Sequence, residues 1–136
     1  MKMLFTILCF QCFVLPSFCQ EAGFNEDEMK WVPLYVKVSA YNSVESQTVG
    51  HPALSAWGDT LQPGMKAIAI SRDLMKLGIT HNTPIKIEGF DGFYLVKDKM
   101  NARYRKKIDI YMGLELQKAR EFGNKHLKIW YGIPTE

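Results

Sequence analysis

Two aspartates stand eleven positions apart in a stretch that otherwise alternates like β-strand. Asp98 follows Phe93-Tyr94-Leu95-Val96-Lys97, and Asp109 sits between Ile108 and Ile110. Aspartate disfavours strands, so a carboxylate between two isoleucines asks for a reason. If Ile108 and Ile110 face a core, Asp109 and Tyr111 face the other side, either toward solvent or toward a site. Two carboxyls brought close together push one of their pKa values up, which suits a general acid. Glycan cleavage needs such an acid to protonate the leaving oxygen. A hydrolase adds a second carboxylate as nucleophile or base. A lytic transglycosylase does without it, because a hydroxyl of the sugar itself attacks.

Around Asp98 runs a basic series, Lys97, Lys99, Arg103, Arg105, Lys106 and Lys107. It reads as a solvated loop, as a grip on the carboxylates of a peptidoglycan stem peptide, or as a positive field that lowers the pKa of Asp98 and works against an acid role. Tyr41 and Trp57 lie in or beside a long loop and read as core aromatics or as platforms for sugar rings. Other chemistries lack their parts. His51, His81 and His126 show no metal-ligand spacing and read as surface or loop histidines. No glycine-rich phosphate loop and no Gly-x-Ser-x-Gly elbow occurs. All three cysteines (Cys9, Cys12, Cys19) lie in the first twenty residues, so the rest of the chain holds no thiol nucleophile and no disulfide.

The elements that must position these residues are short. Val32, Leu34, Val36, Val38 and Ala40 alternate with polar or bulky neighbours from Trp31, which marks a strand. Residues 42–64 are rich in Asn, Ser, Thr, Gly and Pro, and a loop this long inside a compact domain tends to be functional. Strands are expected at Lys66–Ile70, Thr83–Glu88, Phe93–Lys97, Lys107–Met112 and Leu127–Tyr131. The third and fourth strands form a hairpin around Asp91-Gly92. Short helices are expected at Arg72–Lys76, stopped by Gly78, and at Leu114–Phe122, stopped by Gly123. Six short strands and two short helices point to a mainly β fold, a small closed barrel without exposed edges.

The 136 residues make one domain, with 47% hydrophobic and 23% charged residues as in an ordinary globular protein. A net charge of +3 is too mild to point to nucleic acid. Residues 1–20 place Lys2 before an apolar run and Pro16-Ser17, the order of a secretory signal peptide. Cleavage is expected near Cys19 or Gln20, and the run is too short to span a bilayer. The expectation is a secreted or periplasmic protein, with an acidic flexible linker over 21–30 and the folded domain over 31–136.

Residues from about Val38 to Trp130 resemble the 3D domain, a double-psi β-barrel module named for three aspartates. It occurs in cell-wall proteins and in the catalytic region of membrane-bound lytic transglycosylase A. Four stretches carry the resemblance. Ser39-Ala40-Tyr41 is similar to the family's opening Thr-Ala-Tyr. Gly58-Asp59-Thr60-Leu61, Ala67-Ile68-Ala69-Ile70 and Leu77-Gly78 are similar to its centre. Asp98 and Asp109 keep the spacing of its Asp-Thr-Gly-Gly-Ala-Ile-Lys-Gly-x-x-Ile-Asp signature, and Ala119, Phe122 and Gly123 are similar to its closing helix. Lys99-Met100-Asn101 stand where the family has Thr-Gly-Gly, and Ser71 stands at its first aspartate, two positions before Asp73.

The resemblance implies a double-psi β-barrel, an acid/base role for Asp98 and a partner role for Asp109. It implies peptidoglycan as the partner, with Tyr41, Trp57, Asp59, Lys97, Asn101 and Tyr111 as candidate substrate contacts. The expected reaction is transglycosylase-like, cleaving between N-acetylmuramic acid and N-acetylglucosamine with an anhydro product, and it needs no metal or cofactor. The rivals are a non-catalytic glycan-binding module and a glycoside hydrolase on a related barrel.

Overall fold

The computed structural model describes residues 25–43 and 54–136. The expected signal peptide, and residues 44–53 of the expected long loop, lie outside that range. Six strands form a closed barrel in the order β1-β5-β2-β4-β3-β6. They are β1 (Met29–Tyr41), β2 (Ala67–Ile70), β3 (Pro84–Ile87), β4 (Tyr94–Lys99), β5 (Lys107–Tyr111) and β6 (Lys125–Pro134), with the helix α1 (Leu116–Phe122) before β6. The pairs β1–β5 and β2–β4 are parallel and the other four are antiparallel. Exchanging β1 with β4, β2 with β5 and β3 with β6 leaves both the order and every orientation unchanged. This duplicated mixed barrel resembles a double-psi β-barrel.

The interior follows from the alternation. Val36, Val38, Ile68, Ile70, Ile85, Ile87, Val96, Ile108, Ile110 and Ile129 all point inward and are almost fully buried. Branched aliphatic side chains fill the lumen, so the barrel is a packed core rather than a pore. A 3-10 turn, Arg72–Leu77, drops Leu74 onto that core and ends at Gly78, whose φ of 90° suits a residue without a Cβ. At Gly132, in β6, a Cβ would lie 2.9 Å from Pro84 Cγ and 3.3 Å from the Trp31 ring, so only glycine lets these side chains close over the strand.

Three expectations shift. The acidic leader does not run loose to residue 30. Asn25 caps a 3-10 turn at Glu26–Glu28, its side chain accepting the Asp27 N–H, and β1 begins at Met29. Thr135 ties that turn down by donating its N–H and hydroxyl to the Glu28 carbonyl. The last strand is Lys125–Pro134 rather than Leu127–Tyr131, because it pairs with β1 over its whole length from Met29↔Pro134 to Val38↔Lys125. The first helix is 3-10, and the second starts at Leu116 rather than Leu114.

Candidate functional site

Four residues on neighbouring strands share one rung on the outer face of the barrel. Ser39 of β1 pairs with Asp109 of β5, Asp109 with Ala69 of β2, and Ala69 with Asp98 of β4. Residues in register across a sheet point to the same face, and the flanking Val38, Ile108 and Ile70 are taken up by the core. With strands about 4.8 Å apart, the backbones of Asp98 and Asp109 stand about 10 Å apart across Ala69. The small Ala69 side chain leaves the space between the two carboxylates unobstructed from below.

Asp98 reaches this rung through a β-bulge. The register of β2 against β4 shifts between Ile68↔Val96 and Ala69↔Asp98, leaving Lys97 as an extra residue. Strict alternation from the buried Val96 would turn Asp98 inward; the bulge turns it out beside Asp109. Lys97, released from the ladder, donates from Nζ to Asn82 Oδ1 at 2.6 Å and reaches Asp59 Oδ1 at 3.5 Å.

The two aspartates are held differently. Asp109 Oδ1 accepts a hydrogen bond from the Ser39 hydroxyl and lies 3.4 Å from Lys107 Nζ. Asp98 Oδ1 accepts the Ala56 N–H at 2.7 Å and its neighbour Lys99's N–H at 2.8 Å. Among the described residues, none donates to Asp98 Oδ2. Tyr41, which pairs with Tyr111 two rungs' length along from Ser39, senses both carboxylates. Burial first, then the charges of Asp98 and Asp109, then Tyr111, push its phenol well above the usual tyrosine range, so it stays protonated. Its hydroxyl is buried and has no hydrogen-bond partner among the described residues.

A second polar group adjoins the first through the turn Ser55–Asp59. That turn closes with a Leu54↔Thr60 bridge and with the Ser55 N–H donated to the Asp59 carbonyl at 2.8 Å. The Ala56 N–H clamps it to Asp98. Asp59 Oδ2 bonds His81 Nε2 at 2.5 Å, and the His81 ring stacks on Trp57 at 5.2 Å. Burial pushes Asp59 upward, but the His81 hydrogen bond and the Lys97 charge outweigh it and hold the carboxyl below its ordinary range. Lys99 Nζ lies 5.0 Å from the Trp57 ring centroid. Trp57, Asp59 and Lys97 thus gather beside Asp98.

The remaining candidates are engaged in other contacts. Asn101 is exposed, and its Oδ1 accepts the Arg103 N–H at 3.0 Å, a local turn bond. Tyr111 is buried, with its hydroxyl 3.0 Å from Ser43 Oγ and its ring packed on Tyr41. Ser71 is buried and accepts the Lys107 N–H at 2.9 Å; Asp73 Oδ2 accepts the Lys106 N–H at 2.9 Å. Both fix the loop ahead of β5. Sequence reasoning missed Ser39, Asn82 and His81 as site residues. Ser39 had a signal in its place two residues before Tyr41. His81, read as a loop histidine, had none, because its partner Asp59 is 22 positions away across irregular chain.

No family model matches the chain, and no curated protein matches it. Among solved structures it is similar to the crystal structure of a computationally designed protein, msDPBB_sym2. That match has a TM-score of 0.39 at 15% identity and covers 76% of this chain and 100% of the designed one.

Proposed function

We infer that this chain is an exported peptidoglycan-cleaving enzyme of the lytic transglycosylase kind, as its resemblance to the 3D domain suggests. The observation that carries the reading is the single outer rung Ser39–Asp109–Ala69–Asp98. It presents two carboxylates to one side with a protonated phenol between reach of both. Asp98, through Oδ2, protonates the glycosidic oxygen as the bond to the anomeric carbon breaks. The C6 hydroxyl of the same muramic acid residue then attacks that carbon and returns its proton to Asp98. Asp109, fixed by Ser39 and Lys107, supplies negative charge beside the cationic sugar, which favours the transition state over the neutral substrate. Trp57 and Tyr41, near the two aspartates, serve as the stacking surfaces.

The test is product analysis. Incubated with peptidoglycan sacculi, the protein releases anhydro-muropeptides detectable by mass spectrometry, and Asp98→Asn lowers their yield by at least about a hundredfold. Reducing-end products instead would make it a hydrolase. One observation favours a non-catalytic glycan-binding module: Asp98 Oδ1 is committed to two main-chain N–H groups, as a purely structural clamp on the Ser55–Asp59 turn would be. That module would bind sacculi, release nothing, and keep its affinity in Asp98→Asn.

A further inference from the structure

Beyond the outer rung, toward the start of β5, lies a basic surface of which the cleavage scheme uses only Lys107. Ser71 and Lys107 exchange main-chain and hydroxyl hydrogen bonds there, and beyond them a concavity of about 210 Å³ is lined by Arg72, Asp73, Lys76, Ala102 and Arg105. The two guanidinium groups are oriented rather than free. Arg72 Nε donates to the Met100 carbonyl at 3.0 Å. Arg105 Nη1 donates to the Tyr104 carbonyl at 3.0 Å and to that of Ala102. Their remaining N–H groups are left for another acceptor. Among the described residues no carboxylate forms an ion pair with Arg72, Lys76, Arg105 or Lys106. Asp73, the acid in this wall, feels the Arg105 charge but makes no ion pair with it: Oδ2 takes the Lys106 N–H and Oδ1 is out of contact with solvent.

We propose that Arg72, Lys76 and Arg105 form an oxyanion subsite that holds a carboxylate or phosphate group of the same wall polymer whose glycan lies at Asp98 and Asp109. Planar guanidinium groups with fixed orientation match a two-oxygen anion better than freely swinging ammonium groups do. Lys107 lies two residues from Asp109 along β5, a rise of about 7 Å, and bridges the subsite to the aspartate rung. An anionic substituent held here fixes which glycosidic bond faces the two aspartates. The subsite therefore sets register along the polymer, and it rests on the glycan reading only for the choice of ligand.

Binding, not cleavage, is the measurement, made in the Asp98→Asn chain so that turnover plays no part. Cosedimentation with sacculi should weaken steeply between about 50 mM and 0.5 M salt. Arg72→Gln with Arg105→Gln should lower the affinity about tenfold and flatten that salt response. Those arginines also brace the loop, so Lys76→Gln serves as the second variant. Lys76 makes no hydrogen bond among the described residues, and its loss should weaken binding about threefold, against no change for Lys30→Gln at a distant strand end. Binding that survives removal of phosphodiester polymers by hydrofluoric acid assigns the group as a carboxylate; binding lost with them assigns a phosphate. Equal affinity for Lys76→Gln and Lys30→Gln overturns the subsite. If sacculi do not bind at all, inorganic phosphate decides. Shifts of the Arg72, Lys76, Arg105 and Lys106 amide resonances keep the subsite and reject the glycan, whereas unmoved resonances reject the subsite.

Discussion

The strands β2 and β5 run antiparallel across the rung that carries Asp109, and the exchange of the two barrel halves lays one on the other. Ala67-Ile68-Ala69-Ile70-Ser71 then matches Lys107-Ile108-Asp109-Ile110-Tyr111. The inward positions are the same residue in both, and all four isoleucines are almost fully buried. The outward positions differ at every place: Ala67 against Lys107, Ala69 against Asp109, Ser71 against Tyr111. β1 and β4 repeat the lesson, with Val38 and Val96 inside and Ser39 and Asp98 outside, the second brought there by an extra Lys97. Closing the barrel dictates the inner residues of both halves alike. The outer residues are free of that demand, so the two carboxylates, Asp98 and Asp109, stand on one half and the smaller Ser39 and Ala69 stand in their places on the other.

The largest effects should come where the halves agree. Ile70→Ala and Ile110→Ala remove matched side chains from one lumen, and each should cost about 3–4 kcal/mol in urea unfolding. Costs that differ by more than about 2 kcal/mol would break the equivalence of the two halves. The next effect crosses the halves. Ala69→Asp gives β2 the outward carboxylate of β5 and places it between Asp98 and Asp109. It should destabilise by about 2–3 kcal/mol at neutral pH. The new carboxyl, crowded by like charge, takes a raised folded pKa, so this chain recovers stability as pH falls below that value. A cost unchanged between neutral and mildly acidic pH would mean that the rung is not a cluster of like charges.

A smaller effect separates structural from chemical aspartates. Burial pushes Asp73 upward, but the Ser71 hydroxyl, the Lys106 N–H and the Arg105 charge win and hold it below the ordinary carboxylate range. A depressed folded pKa adds stability that is full above the unfolded value and disappears as pH falls through the folded one. Asp73→Asn should therefore cost about 1 kcal/mol near neutrality, and the gap to the parent chain should close only in acid below that range. The variant should still cleave, if the parent does, because Asp73 bonds the loop ahead of β5 and not the rung of Asp98 and Asp109. Full loss of cleavage with this mild destabilisation would move Asp73 into the chemistry.

How much of this could be read beforehand follows from the same division. All six strands were legible because the inner residues announce themselves as apolar side chains, mostly Val, Ile or Leu, at every second position. The bulge at Lys97 was not, since alternation assumes one residue per rung and an insertion appears only as a register shift against β2. The outward face was half legible. Asp98, Asp109 and Tyr41 are polar exceptions inside strands or at their ends, and the structure gathers them. Asp59 and His81 meet from two irregular segments, where no periodicity relates one residue to another. Asn101, three positions after Asp98 in sequence, uses its side chain in its own turn.

The smallest expected change in stability is also the sharpest test of the outer face. Tyr41 buries a hydroxyl that meets no partner among the described residues, within the field of both Asp98 and Asp109. If that hydroxyl existed for stability, deleting it would cost about 1 kcal/mol. An unpaired buried hydroxyl gives no such return, so Tyr41→Phe should unfold within about 0.5 kcal/mol of the parent at neutral pH, or be slightly more stable. Its raised folded pKa keeps the phenol protonated where the unfolded chain ionises, so the parent should lose stability as pH rises through about 10, and Tyr41→Phe should lose less. Activity should part from stability here. If the unpaired phenol serves as a donor to a bound sugar oxygen, cleavage or glycan binding should fall about tenfold in a fully folded variant. If binding and cleavage are untouched, the hydroxyl is a leftover of packing against Tyr111, and the working face narrows to the two aspartates and Ser39.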